Sequence, residues 1–361
     1  MSSRIDHDKV TAVVIMFNGE DVIRRTLNAL YAQSYPVDQV IVVDDCSTDS
    51  SCEIVMSEYP HAQLLSTGRN RGPGAARNAG HDQASNPTVV FMDHDITLER
   101  DTLSVLVSAA NQHPHYSIFV PLVAYEHSPG IIQNAGSNVH YLGFSVNSQF
   151  SGQQRSKGPA DFRAVLAFGG GCYMLRQKDV PLPCRYDEAF FYTFEDTDFA
   201  INASRLKYPA LLVPRATVLH RTGTTAGMSH TTERRYPGRR LALLTRNHLT
   251  IILKHYRTIT LLRVMPPLIA FNSALMLYSL LRSSNRLAAF SGYAAFIRRL
   301  PSIVSFRRAM RMVPFSREQE RRLSRNLTVK TSTYQGVVMS LLFAVTNRLF
   351  AAYGKWVLKI P

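Results

Sequence analysis

Three short apolar runs, Val10–Met16, Val40–Val43 and Thr88–Met92, constrain this chain most, because each stops abruptly at polar or acidic residues. The stops read Phe17-Asn18-Gly19-Glu20, Asp44-Asp45 and Asp93-His94-Asp95. Apolar runs of this length without polar alternation are the mark of strands buried on both faces, as parallel strands are. Between the first two, Val22, Ile23, Leu27, Leu30 and Tyr31 fall at helical spacing over Glu20–Gln33. Ser47 or Thr48 is placed to cap a second helix that runs to about Tyr59. Gln63-Leu64-Leu65 reads as a third strand, followed by helices over Ala75–Ala84 and Glu99–Gln112 and a strand over Ser117–Leu122. Strands and helices alternating at this spacing predict a doubly wound α/β sheet, mainly parallel. Residues 125–185 are rich in Gly, Ser, Asn and Gln and are expected to form loops and antiparallel strands over the sheet's carboxyl edge. Helices are expected over Phe194–Lys207 and Arg235–Tyr256, with short strands at Leu211–Val213 and Thr217–His220.

Open α/β sheets bind ligands outside the carboxyl ends of their strands, so the three stops should line one crevice. Asp93 and Asp95 stand one residue apart there. Their oxygens are hard ligands that suit Mg²⁺ or Mn²⁺ shared with a substrate diphosphate, although an Asp-x-Asp is also a common loop or helix cap. The first turn lacks G-x-G-x-x-G, which disfavours a dinucleotide site of the dehydrogenase type. Asp45 can accept a hydrogen bond from a base N–H, and Phe17 can pack against the base. Asn18 and Glu20 fit ligand contact or helix capping equally well. Gly68–Gly80 is a basic, glycine-rich loop entering a helix, and its amides and arginines, Arg71 and Arg77 among them, can meet phosphate oxygens.

A net charge of +15 asks for an anionic partner: nucleic acid, an acidic membrane surface or a phosphate-bearing substrate. Zinc-finger spacing and RNA-recognition aromatics are absent, so nucleic acid is not expected. The excess sits late in the chain, where residues 255–330 hold fourteen Lys/Arg against Glu318 and Glu320. Val264–Leu281 is an apolar stretch near the lower length for a spanning helix, interrupted by Pro266-Pro267 and Asn272. Arg348 and Lys355 break the later apolar stretches, Val337–Val345 and Leu349–Leu358. Basic amphipathic helices lying in the interface of an anionic leaflet are the expectation, with an ordinary helical subdomain as the alternative. The polar start, Met1–Asp8, does not read as a signal peptide. The four cysteines, Cys46, Cys52, Cys172 and Cys184, show neither metal-ligand spacing nor a disulfide framework, which favours a reducing compartment.

Taken together, the motifs resemble the family-2 glycosyltransferases with the GT-A fold. The matching pieces are VVIMFNGE (13–20), VVDDCSTDSS (42–51), NRGPGAARNAG (70–80), FMDHD (91–95), FGGGCYMLR (168–176), FFYTFEDTDF (190–199) and VLHRTGTT (218–225). Within the family the chain is most similar to bacterial rhamnosyltransferase-like enzymes that build surface glycans. The resemblance implies a catalytic domain over 1–256 and a helical membrane-associating region over 257–361. By the same resemblance, Asp45 reads the nucleotide base, Asp93 contacts sugar or ribose, and Arg77 and Asn78 lie near the nucleotide. Asp95 is the main metal ligand, His220 completes the metal shell, and Asp196 is the catalytic base. Gly170 lets the backbone approach the sugar or acceptor closely.

A single base without a carboxylate nucleophile implies an inverting transfer. The Q-x-x-R-W signature of processive synthases has no candidate in the catalytic region, since Trp356 is the only tryptophan. The implied donor is a UDP- or dTDP-linked sugar, the acceptor a lipid-linked or growing glycan, the cofactor Mn²⁺ or Mg²⁺, and the location the cytoplasmic face of the plasma membrane. Two other readings remain at this point: a non-enzymatic anion- or membrane-binding protein, and a nucleotidyltransferase on a similar scaffold.

Overall fold

The computed structural model describes residues 9–176, 184–222, 238–282, 285–310 and 348–358. The three apolar runs are strands: β1 (Val10–Met16), β2 (Gln39–Asp44) and β4 (Thr88–Asp93), with β3 (Gln63–Ser66) beside β2. β1 lies between β2 and β4, parallel to both, and β3 extends the set in parallel. Because strand side chains alternate, each run feeds two cores. Val13, Ile15, Ile41, Val43, Val89 and Phe91 face one. Ala12, Val14, Met16, Val40, Val42, Val90 and Met92 face the other. Each such side chain, fully buried, contributes about 1.5–3 kcal/mol.

The second face is covered by α1 (Ile23–Tyr31), α2 (Ser51–Glu58) and α4 (Thr102–Gln112). The first is covered by α3 (Pro73–Gln83), α5 (Glu195–Arg205) and α6 (Gly238–His255). α3 lies so close to the sheet that a Cβ on Gly80 would meet Val13 Cγ1 at 2.2 Å. α2 begins after Ser50 rather than after Ser47 or Thr48, because Ser47 is occupied: its Oγ accepts from Asn18 N and its own amide donates to Asp44.

The remaining strands are β5 (Ile96–Leu98), β6 (Ile118–Tyr125), β7 (Ser128–Asn134), β8 (Ser137–Val139), β9 (Ser145–Asn147), β10 (Arg163–Val165), β11 (Cys172–Arg176) and β12 (Ala210–His220). The main sheet runs β10-β12-β6-β11-β4-β1-β2-β3, with β5 on β12 and β7 on β6. Two departures from the sequence expectation matter for the site. β11 does not lie over the sheet's edge; it enters the sheet antiparallel between β4 and β6, and Cys172–Leu175 are buried. The two short strands expected at 211–220 are one strand, β12, with an irregularity between Val213 and Thr217. The mainly parallel, doubly wound expectation otherwise holds.

Past residue 257 the chain forms α7 (Thr258–Arg282) and α8 (Ala288–Ala309), with further helix at 348–356. Pro266-Pro267 does not interrupt α7, as the sequence reading had it. Two adjacent prolines remove only two backbone donors, and Asn272 stays within the helix by donating to Leu268 O at 2.8 Å. Among the described residues α7 is the one helix long and apolar enough to cross a membrane: Thr258–Leu281 has a mean hydropathy of 1.6 and is 22% buried. Among the described residues, fourteen of the seventeen exposed large apolar side chains lie between Ile259 and Val357. α8 packs tightly on α6, where Gly292 leaves no room for a Cβ against Ala242 O at 2.5 Å. Val264 and Phe350 join the core under the sheet, and Tyr141 Oη donates to Phe350 O at 2.9 Å. The apolar stretch expected at Val337–Val345 lies outside the described residues.

α6 also buries an imidazole. His248 stacks on Phe144 at 4.7 Å, and neither ring nitrogen has a hydrogen-bond partner. Burial alone pushes its pKa down to about 3. The unfolded chain, near 6.5, therefore binds the proton that the folded chain refuses, so stability falls as pH drops below 6.5. The expected slope is about 1.4 kcal/mol per pH unit from this group. His248→Phe should flatten the stability profile between pH about 6.5 and 5 in urea titrations. An unchanged slope would assign the acid sensitivity elsewhere.

Candidate active site

The carboxyl ends of β1, β2 and β4 converge, and β11 brings a distant segment to them. Asp93 N donates to Gly171 O at 2.9 Å, which places Gly170 beside the end of β4. From there a continuous polar chain crosses the site. Arg77, on α3 and 2% exposed, pairs with Asp93 and donates to Gly170 O at 2.8 Å. Gly170 N donates to Asp196 Oδ2 at 2.9 Å. Of the three consecutive glycines only Gly170 is crowded: a Cβ there would meet Arg77 Nη2 at 2.9 Å and push the guanidinium aside.

Asp196 sits in the first turn of α5, with Thr197 N donating to its other oxygen at 2.7 Å. Burial raises its pKa, against the opposing pull of Gly170 N, Arg77 and Thr197 N. Glu195 beside it is buried, and its Oε2 has no partner. Burial first, then Asp196, pushes the Glu195 carboxyl up to about 8. Burial thus pushes both carboxyls of the pair upward. Burial works against charge on Arg77, but Asp93 and its neighbours more than compensate and hold its pKa above the ordinary value.

The register of β12 against β5 sets His220 opposite Ile96 and so beside Asp95. His220 Nε2 lies 3.4 Å from Asp95 Oδ2, and its Nδ1 lies 2.8 Å from Gln133 Oε1. With Nδ1 against the Gln133 amide oxygen, Nε2 is the ring nitrogen that faces the Asp95 carboxylate. Burial lowers the pKa of His220, but Asp95 and Asp93 outweigh it and the net shift is upward. Among the described residues no group of three or more His, Cys, Asp or Glu surrounds one point. One carboxylate with one imidazole still fits Mg²⁺ or Mn²⁺, which draw much of their shell from substrate phosphate and water.

Asp45 is 4% exposed and holds the glycine-rich loop: it accepts from Arg71 N at 2.8 Å, Gly72 N at 2.7 Å and Thr67 Oγ1 at 2.8 Å. The Arg71 side chain pairs with Glu188. Asn78 is spent on the chain itself, bonding Tyr186 N and O and Glu188. Asn18 and Glu20 tie the first turn to the second: Asn18 Oδ1 accepts from Thr48 N, and Glu20 Oε2 from Ser50 N. Phe17 is half-buried at the head of that turn.

The family model described as glycosyl transferase family 2 matches residues 11–180. That matched segment is just under half of the chain. It is similar to the succinoglycan biosynthesis protein ExoO of Rhizobium meliloti (strain 1021), 38% identical over 103 residues, which are 28% of this chain and 30% of that protein. The chain thus spans less than a third of that relative. It is also similar to N-acetylglucosaminyl-diphospho-decaprenol L-rhamnosyltransferase of Mycobacterium tuberculosis (strain ATCC 25618 / H37Rv), 24% identical over 241 residues, covering 61% of this chain and 78% of that protein. A crystal structure of GalNAc-T7 with UDP, GalNAc and Mn²⁺ has the same fold, with a TM-score of 0.56 at 13% identity, covering 83% of this chain and 58% of that one. The GT-A fold expected from the motifs is the fold observed.

Beyond the matched residues, α6 adds residues that the motif pattern missed. The segment before α5 holds Phe191, Thr193 and Phe194 at φ of 64°, 66° and 69°. Phe191, with ψ −71° and Tyr192 N donating to Phe190 O at 2.8 Å, forms the strained type of γ-turn. Each such residue costs about 1–3 kcal/mol and persists only where its surroundings hold it. Asn247, fully buried on α6, supplies that hold: its Nδ2 reaches Phe190 O at 2.9 Å, Tyr192 O at 3.0 Å and Thr193 O at 2.8 Å. Phe190 is core, whereas Phe191 and Tyr192 are half-exposed under Arg239 and Arg240 at 4.7 and 5.8 Å. The available signal was polar: Thr245, Asn247, His248 and Thr250 interrupt the helix face that packing should make apolar.

Proposed function

We propose that this chain is an inverting, non-processive glycosyltransferase that moves a sugar from a UDP- or dTDP-linked donor to a hydroxyl of a lipid-linked or growing glycan. The observation that carries the reading is the polar chain from Asp93 through Arg77 and Gly170 to Asp196, which sets two acids from distant segments about one crevice. Phe17 and the Asp45-held loop, with the Arg71 backbone, face the nucleotide base. Asp93 contacts ribose or sugar, and Arg77, buried behind it near the nucleotide, holds that carboxylate in place. Asn78, Asn18 and Glu20 support the walls through backbone bonds. Asp196 takes the proton of the acceptor hydroxyl. That oxygen bonds the anomeric carbon from the face opposite the leaving group. The carbon–oxygen bond to the diphosphate breaks with its electron pair leaving on the nucleoside diphosphate, and the configuration inverts.

Asp95 and His220 would hold Mn²⁺ or Mg²⁺, which when bound neutralises charge on the departing diphosphate. Residues 1–256 are the catalytic domain in this reading, and 257–361 hold it at the anionic cytoplasmic face of the plasma membrane. The clustering of exposed apolar side chains on the C-terminal helices, among Arg257, Arg263, Arg282 and Arg286, supports that placement. So does the relative named for a decaprenol-linked substrate.

The test is release of nucleoside diphosphate from UDP-, dTDP- and GDP-sugars with Mn²⁺ or Mg²⁺. One donor class should turn over, and Asp95→Ala should cut the rate at least about a hundredfold. Binding of the same variant to anionic vesicles should persist. No release from any donor would overturn the proposal and favour an anion-binding protein, and undiminished release by Asp95→Ala would overturn the reading of Asp95 as a metal ligand for the transfer.

A further inference from the structure

We propose that Asn247 is a positioning residue for this reaction, acting through the strained 190–194 segment on the carboxylate of Asp196. The inference rests on the reading of Asp196 as the base. Asn247 has no exposed surface, and its two amide hydrogens are shared among three carbonyls of that segment. Its Oδ1 accepts from Arg246 Nε at 2.7 Å, which fixes the amide orientation, and Arg246 Nη2 also donates to Phe190 O. The segment leads directly into α5: Phe194 is the residue before Glu195, and Asp198 N donates to Phe194 O at 2.8 Å.

On its other side the segment presses on the loop that Asp45 holds. Gly72, at φ 87°, has Phe191 O only 2.0 Å from where a Cβ would stand. Asn247 therefore locks the base-bearing turn against the wall of the proposed donor site. One face of α6 does all of this. Asn247, Ile251 and Lys254 fall four and three residues apart and are all buried, with His255 beside them. Lys254 and His255 hold Asp198, two residues beyond Asp196, at 2.8 and 2.7 Å. α6 thus grips the entry and the first turn of α5, and Asp196 lies between the two grips. A residue that only supported the fold would lower the melting temperature without changing the chemical step.

The experiment is a double-mutant cycle on the full chain, with Asn247→Asp, Asp196→Asn and both together. Turnover is followed as nucleoside diphosphate released from the most reactive of the UDP-, dTDP- and GDP-sugars. Asn247→Asp replaces the donating amide by a carboxylate facing three carbonyls. The expected result is a kcat lower by at least about tenfold with donor KM within about twofold. The double variant should be no slower than Asp196→Asn alone, because both changes disable one device. A wild-type kcat in Asn247→Asp, or losses that multiply in the double variant, would overturn the proposal. A full rate in Asp196→Asn alone would instead remove the base reading, and this inference with it. Should Asn247→Asp fail to fold, Arg246→Gln takes its place in the same cycle, and a wild-type kcat there overturns the proposal equally.

Discussion

Asp196→Asn is expected to lower kcat by about 10²- to 10⁴-fold while donor KM stays within about twofold. The amide keeps the size of the side chain and can still accept from Gly170 N, so the wall of the crevice survives. What it loses is basicity. Two features of the surroundings of Asp196 bear on that proposed role. Its pKa is raised, mainly by burial, which brings a carboxylate closer to the pH at which proton transfer is most effective. Its neighbour Glu195 is pushed up to about 8 by burial and by Asp196, which disfavours two full charges side by side. The measurement is initial rate against donor concentration between pH about 6 and 8. A variant within about tenfold of wild type would favour a nucleotidyltransferase, which needs no base for an acceptor hydroxyl at this position.

Asp198→Asn should cost about 3–5 kcal/mol of stability, read as a lower urea midpoint with an unchanged slope. Asp198 has no exposed surface and lies between Lys254 Nζ at 2.8 Å and His255 Nε2 at 2.7 Å. Lys254 also reaches Asp187 at 3.0 Å, and Arg299 on α8 meets the same carboxylate at 2.8 Å. Removing one charge from this network leaves a buried ammonium short of a partner, which costs more than the pair itself contributes. The network also carries an acid signature. Burial opposes charge on Asp198, but Lys254 and His255 prevail and bring its pKa down to about 2. A carboxyl depressed in the folded state binds its proton more readily when unfolded. Its contribution is therefore present above the ordinary carboxylate range and is lost as pH falls from about 4 toward 2. The variant should lack that component of acid unfolding. A loss below about 1 kcal/mol would mean that apolar packing alone joins α5, α6 and α8.

Much of the candidate site was legible because its residues lie at strand ends. An apolar run followed by an acid marks the carboxyl edge of a parallel strand, and Asp45, Asp93 and Asp95 needed nothing more. Side chains serving the backbone were not separable from side chains serving a ligand. Asn18, Glu20 and Asn78 look alike in a string of letters, yet each bonds main-chain groups of another turn. Helix boundaries in the first half came within a few residues, apart from the start of α2, where Ser47 was already taken by its neighbours. The diproline in α7 misled for a different reason. A proline costs a helix a hydrogen bond, but an apolar stretch with no better place for its side chains keeps the helix regardless.

By itself the sequence determined the doubly wound sheet, the strand-end acids and the basic, apolar character of the C-terminal third. These are properties of short windows, where burial on two faces, helical spacing and charge are written in adjacent residues. Only the tertiary structure decided that β11 enters the sheet beside β4, that Gly170 joins Arg77 to Asp196, and that α6 holds the strained turn before Asp196. Those depend on contacts between segments far apart in the chain, and no local period encodes which distant strand or helix will supply the partner for a buried polar group.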